Sequence, residues 1–420
     1  MEPHRLSATE AALLIAEQKL TSEALTASCL ERIEARNADV KAVVAFDRDK
    51  ALSEARKRDQ APGGILNGIP FLAKDVIDTA DYPTAYGSPI YTNHRPVADA
   101  SVIAQMRERG SVLLGKAATA EFATRHPAEA RNPLRLTHTP GGSSSGSAAA
   151  VADFMAPYAF GTQTTGSIIR PASYCGIVGY KPSFGTFSVG GVRPVSPAQD
   201  TVGLLVRSVS DAALVTFGIA DLAGRAEKQP MPRFAVCRSS QWDHAHKDLR
   251  ADIEALAGKL GNRRAPDVTL DADFEQTIED QEHIFAYEVN AIAAHERATA
   301  PHLISKALTE RMARGAAIDL AAFLDMQKNA RAARQRVDTL FANAEILIYP
   351  ATEGEAEEGI AWSGSARFCA LWTLMHMPTI TIPLGLGPTG MPWGVQLIAR
   401  FGDDMPLLIA AEKLAKLIAR

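Results

Sequence analysis

Apolar positions along the chain recur at two spacings, and the alternation between them predicts an α/β order. Ser7-x-x-Glu10 has the form of a capping box opening a first helix, and Thr21 to Ala35 reads as a second. Lys41 to Phe46 reads as a short strand, Lys50 to Gln60 as a helix, and Gly68 to Lys74 as an apolar strand entered through Pro70. A helix from Ser101 to Arg109, stopped by Gly110, leads to a strand from Ser111 to Leu114. Later strands are expected at Arg233–Val236, Ile346–Tyr349, Thr379–Leu384 and Trp393–Ile398, with a last helix at Leu407–Ile418. Between them Phe274, Ile278, Phe285, Val289 and Ile292 fall at helical spacing. No linker or repeat divides the chain, so one large α/β domain with a mixed central sheet surrounded by helices is the predicted fold.

Charge refines that picture. The 420 residues carry 44 Lys+Arg against 48 Asp+Glu, a formal charge of −4, which gives no basic surface for nucleic acid. Hydrophobic residues at 46% and charged residues at 22% are ordinary for a folded protein and exclude a disordered one. The four cysteines are scattered, matching neither a disulfide framework nor a zinc site, and no apolar run is long enough for a membrane span. A cytoplasmic protein with no membrane partner is expected. The charge is also uneven: the 57 residues from Leu136 to Val192 hold only Asp153, Arg170 and Lys181, whereas the 120 from Asp221 to Leu340 carry 36 charges and read as solvated helices. A catalytic core of about 60–205 and a peripheral helical region of about 245–343 are the expected subdivisions of one domain spanning 1–420.

Two familiar patterns fail on context. Gly385-x-Gly387-x-x-Gly390 matches a dinucleotide fingerprint, but Pro392 and a strand follow where a helix is required, so a β-hairpin is expected. Gly142-Ser143-Ser144-Ser145-Gly146 matches a nucleophile elbow centred on Ser144, yet Leu136 to Pro140 is a poor strand to launch it. P-loop, S-x-x-K and H-E-x-x-H patterns are absent from the sequence.

The serine-rich loop nevertheless runs straight into Ala148–Ala152, a strong helix start inside the charge-poor stretch. A helix of about 11 residues at 1.5 Å each, followed by a strand of about five at 3.3 Å from Tyr158 to Thr162, brings the chain back to its starting point. What arrives there is Thr164-Thr165-Gly166-Ser167, with Ser167 at a helix N-terminus whose free N–H groups suit an oxyanion. Lys74 ends its apolar strand, where desolvation lowers a lysine pKa and can make it a neutral general base.

G-I-P-F-L-A-K-D around Lys74, T-P-G-G-S-S-S-G-S-A-A-A-V-A from Thr139, G-T-Q-T-T-G-S-I-I-R-P-A from Gly161 and G-M-P-W-G-V-Q-L-I-A-R from Gly390 together resemble the amidase signature family. The resemblance covers nearly the whole chain and rests on three ordered motifs, with 69 residues from Lys74 to Ser143 and 24 from Ser143 to Ser167. It implies a Ser–cis-Ser–Lys triad with Ser167 as nucleophile, Ser143 as the bridging serine on a cis peptide and Lys74 as base. Ser144, the elbow's choice, is then not the nucleophile. It further implies a backbone oxyanion hole at Thr164, Thr165 and Gly166, no metal or organic cofactor, and homodimerisation as a family expectation.

Arg170 follows Ser167 by three positions, an arrangement that resembles malonamidase, where the matching arginine holds a substrate carboxylate. A guanidinium can clamp a carboxylate bidentately; a structural arginine held by carbonyls or an acid is the competing reading. Arg170, Thr162 and Gly142 are the candidate substrate contacts. Thr165 stands where the family usually has glycine, and would be strained if that position needs a positive φ. The leading expectation is an amidase that hydrolyses a small aliphatic carboxamide, malonamate-like and carboxylate-bearing, to acid and ammonia through a seryl acyl-enzyme. The alternatives are the A subunit of a glutamyl-tRNA amidotransferase, or a family hydrolase of carbamates or esters.

Overall fold

A computed structural model describes residues 2–419. Eleven strands among them join one mixed sheet: β1 (Val43–Phe46), β2 (Pro70–Lys74), β3 (Val112–Ala117), β4 (Tyr158–Gln163), β5 (Val178–Lys181), β6 (Thr201–Val206), β7 (Phe234–Arg238), β8 (Val268–Thr269), β9 (Ile346–Pro350), β10 (Thr379–Leu386) and β11 (Pro392–Ile398). Their order across the sheet is β1-β3-β2-β4-β6-β5-β10-β11-β9-β7-β8. Helices surround this sheet, and because it runs unbroken from edge to edge the chain forms a single large α/β domain.

The expected elements are present, most with ends shifted by one to three residues, while the second helix runs on past Ala35 to Val40. The capping box of Ser7 and Glu10 has both halves, opening the helix Ala8–Ala16, and Thr21 caps the helix Ser22–Val40. The helix Ser101–Glu108 stops before Gly110, whose φ of +94° suits glycine. The glycine-rich segment after β10 is a hairpin: β10 and β11 pair antiparallel from Thr379↔Ile398 to Leu386↔Pro392. Strands β5 and β6 and the helix Val209–Phe217 were not anticipated. Glycine inside a strand masks its pattern. Here Gly179 and Gly203 are packing positions, since a Cβ would meet Ala172 Cβ at 2.5 Å and the Tyr180 carbonyl at 2.4 Å respectively.

Three features of this architecture place the site. Strand β2 is buried at all five positions and lies parallel to both β3 and β4, so these three strands end on the same side of the sheet. Phe71 on β2 stacks against Tyr158 on β4 with ring centroids 5.3 Å apart, which fixes the register that sets Ala73 beside Phe160. Finally, the helix Ser145–Ala152 is shorter than expected, at eight residues, and the chain turns at Phe154 (φ 60°) into β4. The return is as predicted: Ser144 N–H donates to the Ser167 carbonyl at 3.4 Å.

Candidate active site

The C-terminal end of β2 delivers Lys74 into a fully buried position. Its Nζ lies 2.7 Å from Ser143 Oγ, 2.8 Å from Thr162 Oγ1 and 3.3 Å from the Thr162 carbonyl. Burial is the main cause that pushes the Lys74 amine well below the ordinary lysine range; Arg170 adds to this and Asp200 opposes it. Burial alone does not single out this lysine. Lys116 and Lys181 are equally buried, with pKa values pushed down to about 8 and about 7. Lys116, however, lies 3.4 Å from Asp75 and Lys181 donates to the carbonyls of Pro182 and Met377, so only Lys74 of the three is bonded to a serine.

The peptide bond between Gly142 and Ser143 is cis, and Gly141 before it has a φ of +77°. Ser144 faces away from the chemistry: its hydroxyl donates to the Thr162 carbonyl at 3.2 Å and accepts from Thr162 N–H at 3.3 Å. The elbow reading therefore fails on structure as well as on sequence, since residues 136–140 form no strand.

Ser167 opens onto a cavity of about 450 Å³, together with Thr165, Arg170 and Trp362. Behind it the turn is braced by a side chain that the sequence reading missed. Gln163 Oε1 accepts from the N–H groups of Ile168 at 2.8 Å and Ile169 at 3.1 Å, while its Nε2 donates to Thr373 Oγ1 at 3.0 Å. Thr373 Oγ1 in turn donates to the Thr165 carbonyl at 2.8 Å. The first helical donors are thus consumed, but the N–H groups of Thr164, Thr165, Gly166 and Ser167 have no acceptor among the described residues. Free N–H groups of this kind are what an oxyanion requires.

Thr165 does not have a positive φ, so the expected strain is absent and threonine is an ordinary residue at this turn. The tighter position is one residue later, where a Cβ on Gly166 would lie 3.1 Å from Ala366 Cβ and 3.2 Å from Cys369 Cβ. Thr164 is held by its side chain, which donates to Asp200 Oδ1 at 2.6 Å; Asp200 Oδ2 accepts from the N–H groups of Val195 and Ser196. Asp200 also went unrecognised in the sequence, because it lies beyond the charge-poor stretch and only the fold brings it to Thr164.

The other predicted contacts separate. Thr162 does not line the cavity; its hydroxyl and carbonyl hold Lys74, which corrects its assignment as a substrate contact. Gly142 lines a narrow crevice with Thr139, Ser145 and Ser363, and its carbonyl accepts a hydrogen bond from Arg170 Nη2. Arg170 does line the cavity, is only 5% exposed, and its Nε has no partner. Of the three charges in the charge-poor stretch, Asp153 is paired with Arg32 and Arg36, and Lys181 feels Asp404. Arg170 has no carboxylate within ion-pair distance among the described residues.

A family model described as Amidase matches residues 24–408. The chain belongs to the amidase family. Its members are amidohydrolases acting on C–N bonds through a serine-based mechanism, and this chain is one of them. The A subunit of glutamyl-tRNA(Gln) amidotransferase from Oleidesulfovibrio alaskensis is 30% identical, covering 98% of this chain and 97% of that protein. The same subunit from Nitratidesulfovibrio vulgaris is also 30% identical, with 98% and 97% covered. Among solved structures, the peptide amidase of Stenotrophomonas maltophilia superposes with a TM-score of 0.81 at 27% identity, covering 99% of this chain and 97% of that one. A chain from a vestigial protein complex tied to the origins of an s-triazine catabolic enzyme gives a TM-score of 0.91 at 26% identity, with 98% of each chain covered. These amidase relatives support the family but not a particular kinship with malonamidase. No helix among the described residues is long and apolar enough to cross a membrane.

Proposed function

We propose that this amidase hydrolyses a small aliphatic primary amide that carries a carboxylate, with Ser167 as nucleophile, Ser143 as proton relay and Lys74 as base. A neutral amine has two N–H donors and one lone pair. The two Thr162 oxygens take the donors at 2.8 and 3.3 Å, leaving the lone pair for the Ser143 hydroxyl at 2.7 Å. Lys74 accepts the Ser143 proton, Ser143 accepts that of Ser167, and the Ser167 oxygen attacks the amide carbonyl. The free N–H groups of Thr165, Gly166 and Ser167 receive the developing oxyanion; the proton returns through Ser143 to the leaving nitrogen as ammonia departs. Water then attacks the acyl-enzyme by the same relay in reverse, releasing the acid.

The observation that carries the substrate class is Arg170. A buried guanidinium cannot shed its proton as a buried lysine can, so leaving it without an anion is costly. A substrate carboxylate supplies that anion one helical turn from Ser167. Because Arg170 also holds the Gly142 carbonyl, Arg170→Ala is expected to slow every substrate somewhat. The carboxylate role predicts more: the ratio of kcat/KM for acidic over neutral amides falls by about tenfold or more, chiefly through KM. Ammonia release across a panel of mono-amides, half with a distal carboxylate, measures that ratio. Equal loss on propionamide and on its acidic counterparts would reject the assignment.

Glutamine and malonamate are both amides of this class. The end-to-end similarity to amidotransferase A subunits favours glutamine, hydrolysed as the ammonia-supplying half of a transamidation. That alignment spans 474 positions against this chain's 420 residues, so the A subunits carry segments that this chain lacks. Glutaminase activity that appears only with a partner subunit, tRNA and ATP supports the amidotransferase reading; turnover of malonamate by the chain alone supports the other.

A further inference from the structure

We propose that the wall of the cavity carrying Arg311 and Arg125 is a second anion subsite, where these two guanidinium groups, with Arg314 sharing their carboxylate partner outside the lining, gather a distal anionic group of the substrate. The inference rests on the carboxylate reading of Arg170 and extends it, from an amide with one anionic group to an amide with two.

This wall comes from the helices Ala272–Ile292 and Lys306–Ala316, which contribute Ile278, Gln281, Glu282, Phe285 and Arg311, with Arg125 from the loop after β3. Three guanidinium groups converge there on one carboxylate. Glu282 Oε1 lies 3.0 Å from Arg311, 3.5 Å from Arg314 and 4.0 Å from Arg125, leaving an excess of two positive charges. The nearby pair of Arg367 and Glu353 is balanced and does not offset it.

Arg311 is the built part of the subsite. It is 2% exposed and its guanidinium lies 4.1 Å from the centroid of the Phe285 ring. Its Nε and Nη1 make no hydrogen bond, for the contact with Glu282 is close without having hydrogen-bond geometry. Arg125, about half exposed, has its guanidinium 5.4 Å from the centroid of the Trp362 ring. Planar guanidinium groups backed by aromatic faces present their N–H edges to an oxyanion. A carboxylate or a phosphoryl group meets that requirement equally, and salt and desolvation both make a buried cluster more effective than a surface one.

The test uses competitive inhibitors, so it does not depend on knowing the substrate. Dicarboxylates from malonate to adipate are compared with the monocarboxylates of equal chain length, and succinate with 3-phosphonopropionate to separate the two oxyanion sources. Two subsites predict that one dicarboxylate length binds about tenfold or more tightly than its monocarboxylate. Arg311→Gln is expected to erase that advantage. Arg125→Gln, at a position about half exposed, is expected to reduce it severalfold, so the inference stays testable if the buried variant misfolds. Equal inhibition by mono- and dicarboxylates at every length, or an unchanged advantage in folded Arg125→Gln and Arg311→Gln, overturns the second subsite. Failure of the Arg170 reading looks different: Arg170→Gln would leave inhibition by monocarboxylates unchanged.

Discussion

Replacing Ser167 by alanine is expected to abolish ammonia release, with a loss on the order of 10⁶-fold in kcat, because the covalent route then has no nucleophile. The fold should persist. The Ser167 contact that ties the turn to the serine loop is its backbone carbonyl, which accepts from Ser144 N–H at 3.4 Å and is retained by alanine. The brace from Gln163 to Ile168 and Ile169 is likewise independent of the Ser167 side chain. Three readouts therefore belong together: thermal melting close to wild type, no ammonia release, and no labelling by phenylmethylsulfonyl fluoride or a fluorophosphonate. Wild type should label at Ser167 and lose activity in proportion. Substantial turnover by folded Ser167→Ala, in a preparation free of contaminating hydrolases, would remove Ser167 from the chemistry. Labelling at Ser144 would revive the elbow, which the structure disfavours because that hydroxyl already both donates to and accepts from Thr162.

The parts of the site most legible in the sequence are those set by local chain geometry. Lys74 could be placed because an apolar strand ends on it, and Ser143 and Ser167 because a helix and a strand of matched length bring the chain back on itself. The resemblance then chose Ser143 over Ser144, and the cis peptide at Gly142–Ser143 agrees with that choice. Conformational expectations drawn from residue type fared less well. Thr165 would strain its turn only if the turn used a positive φ there, and it does not; Thr162, read from the sequence as a pocket residue, instead holds Lys74 with its two oxygens.

What stayed hidden depends on contacts between distant segments. Gln163 is polar in a buried strand and carries no local sign that it caps the turn after it; its partner Thr373 lies 210 residues away. The outer cavity wall is drawn from amphipathic helices whose charged faces read as solvated, and for most of their length they are. Arg311 is the exception at 2% exposure, and helical periodicity cannot distinguish an arginine facing water from one facing a cavity. Arg170 is visible as a rare charge in a charge-poor stretch, but only the structure shows that Asp153 is ion-paired there and Lys181 is held by carbonyls, while Arg170 keeps an unpartnered Nε beside the cavity.

Lys74→Ala is expected to lower kcat/KM by roughly 10⁴-fold, the upper range for loss of a general base, and Lys74→Arg to be no better because a guanidinium stays protonated. The base is the neutral amine, so activity should rise with pH as Lys74 loses its proton. Burial lowers that pKa, which places the acid limb of kcat/KM well below the ordinary lysine range. Asp200 gives the sign an independent check. Its carboxylate raises the Lys74 pKa, so Asp200→Asn should shift the limb to lower pH; the Asn oxygen can still accept from the Thr164 hydroxyl now 2.6 Å from Asp200, although its amide nitrogen cannot accept from Val195 and Ser196 as Oδ2 does. A change that only loosened Thr164 would depress activity at every pH and leave the limb in place. A limb that stays put in Asp200→Asn removes Asp200 from the electrostatics of the base. Turnover in Lys74→Arg matching wild type would remove Lys74 itself.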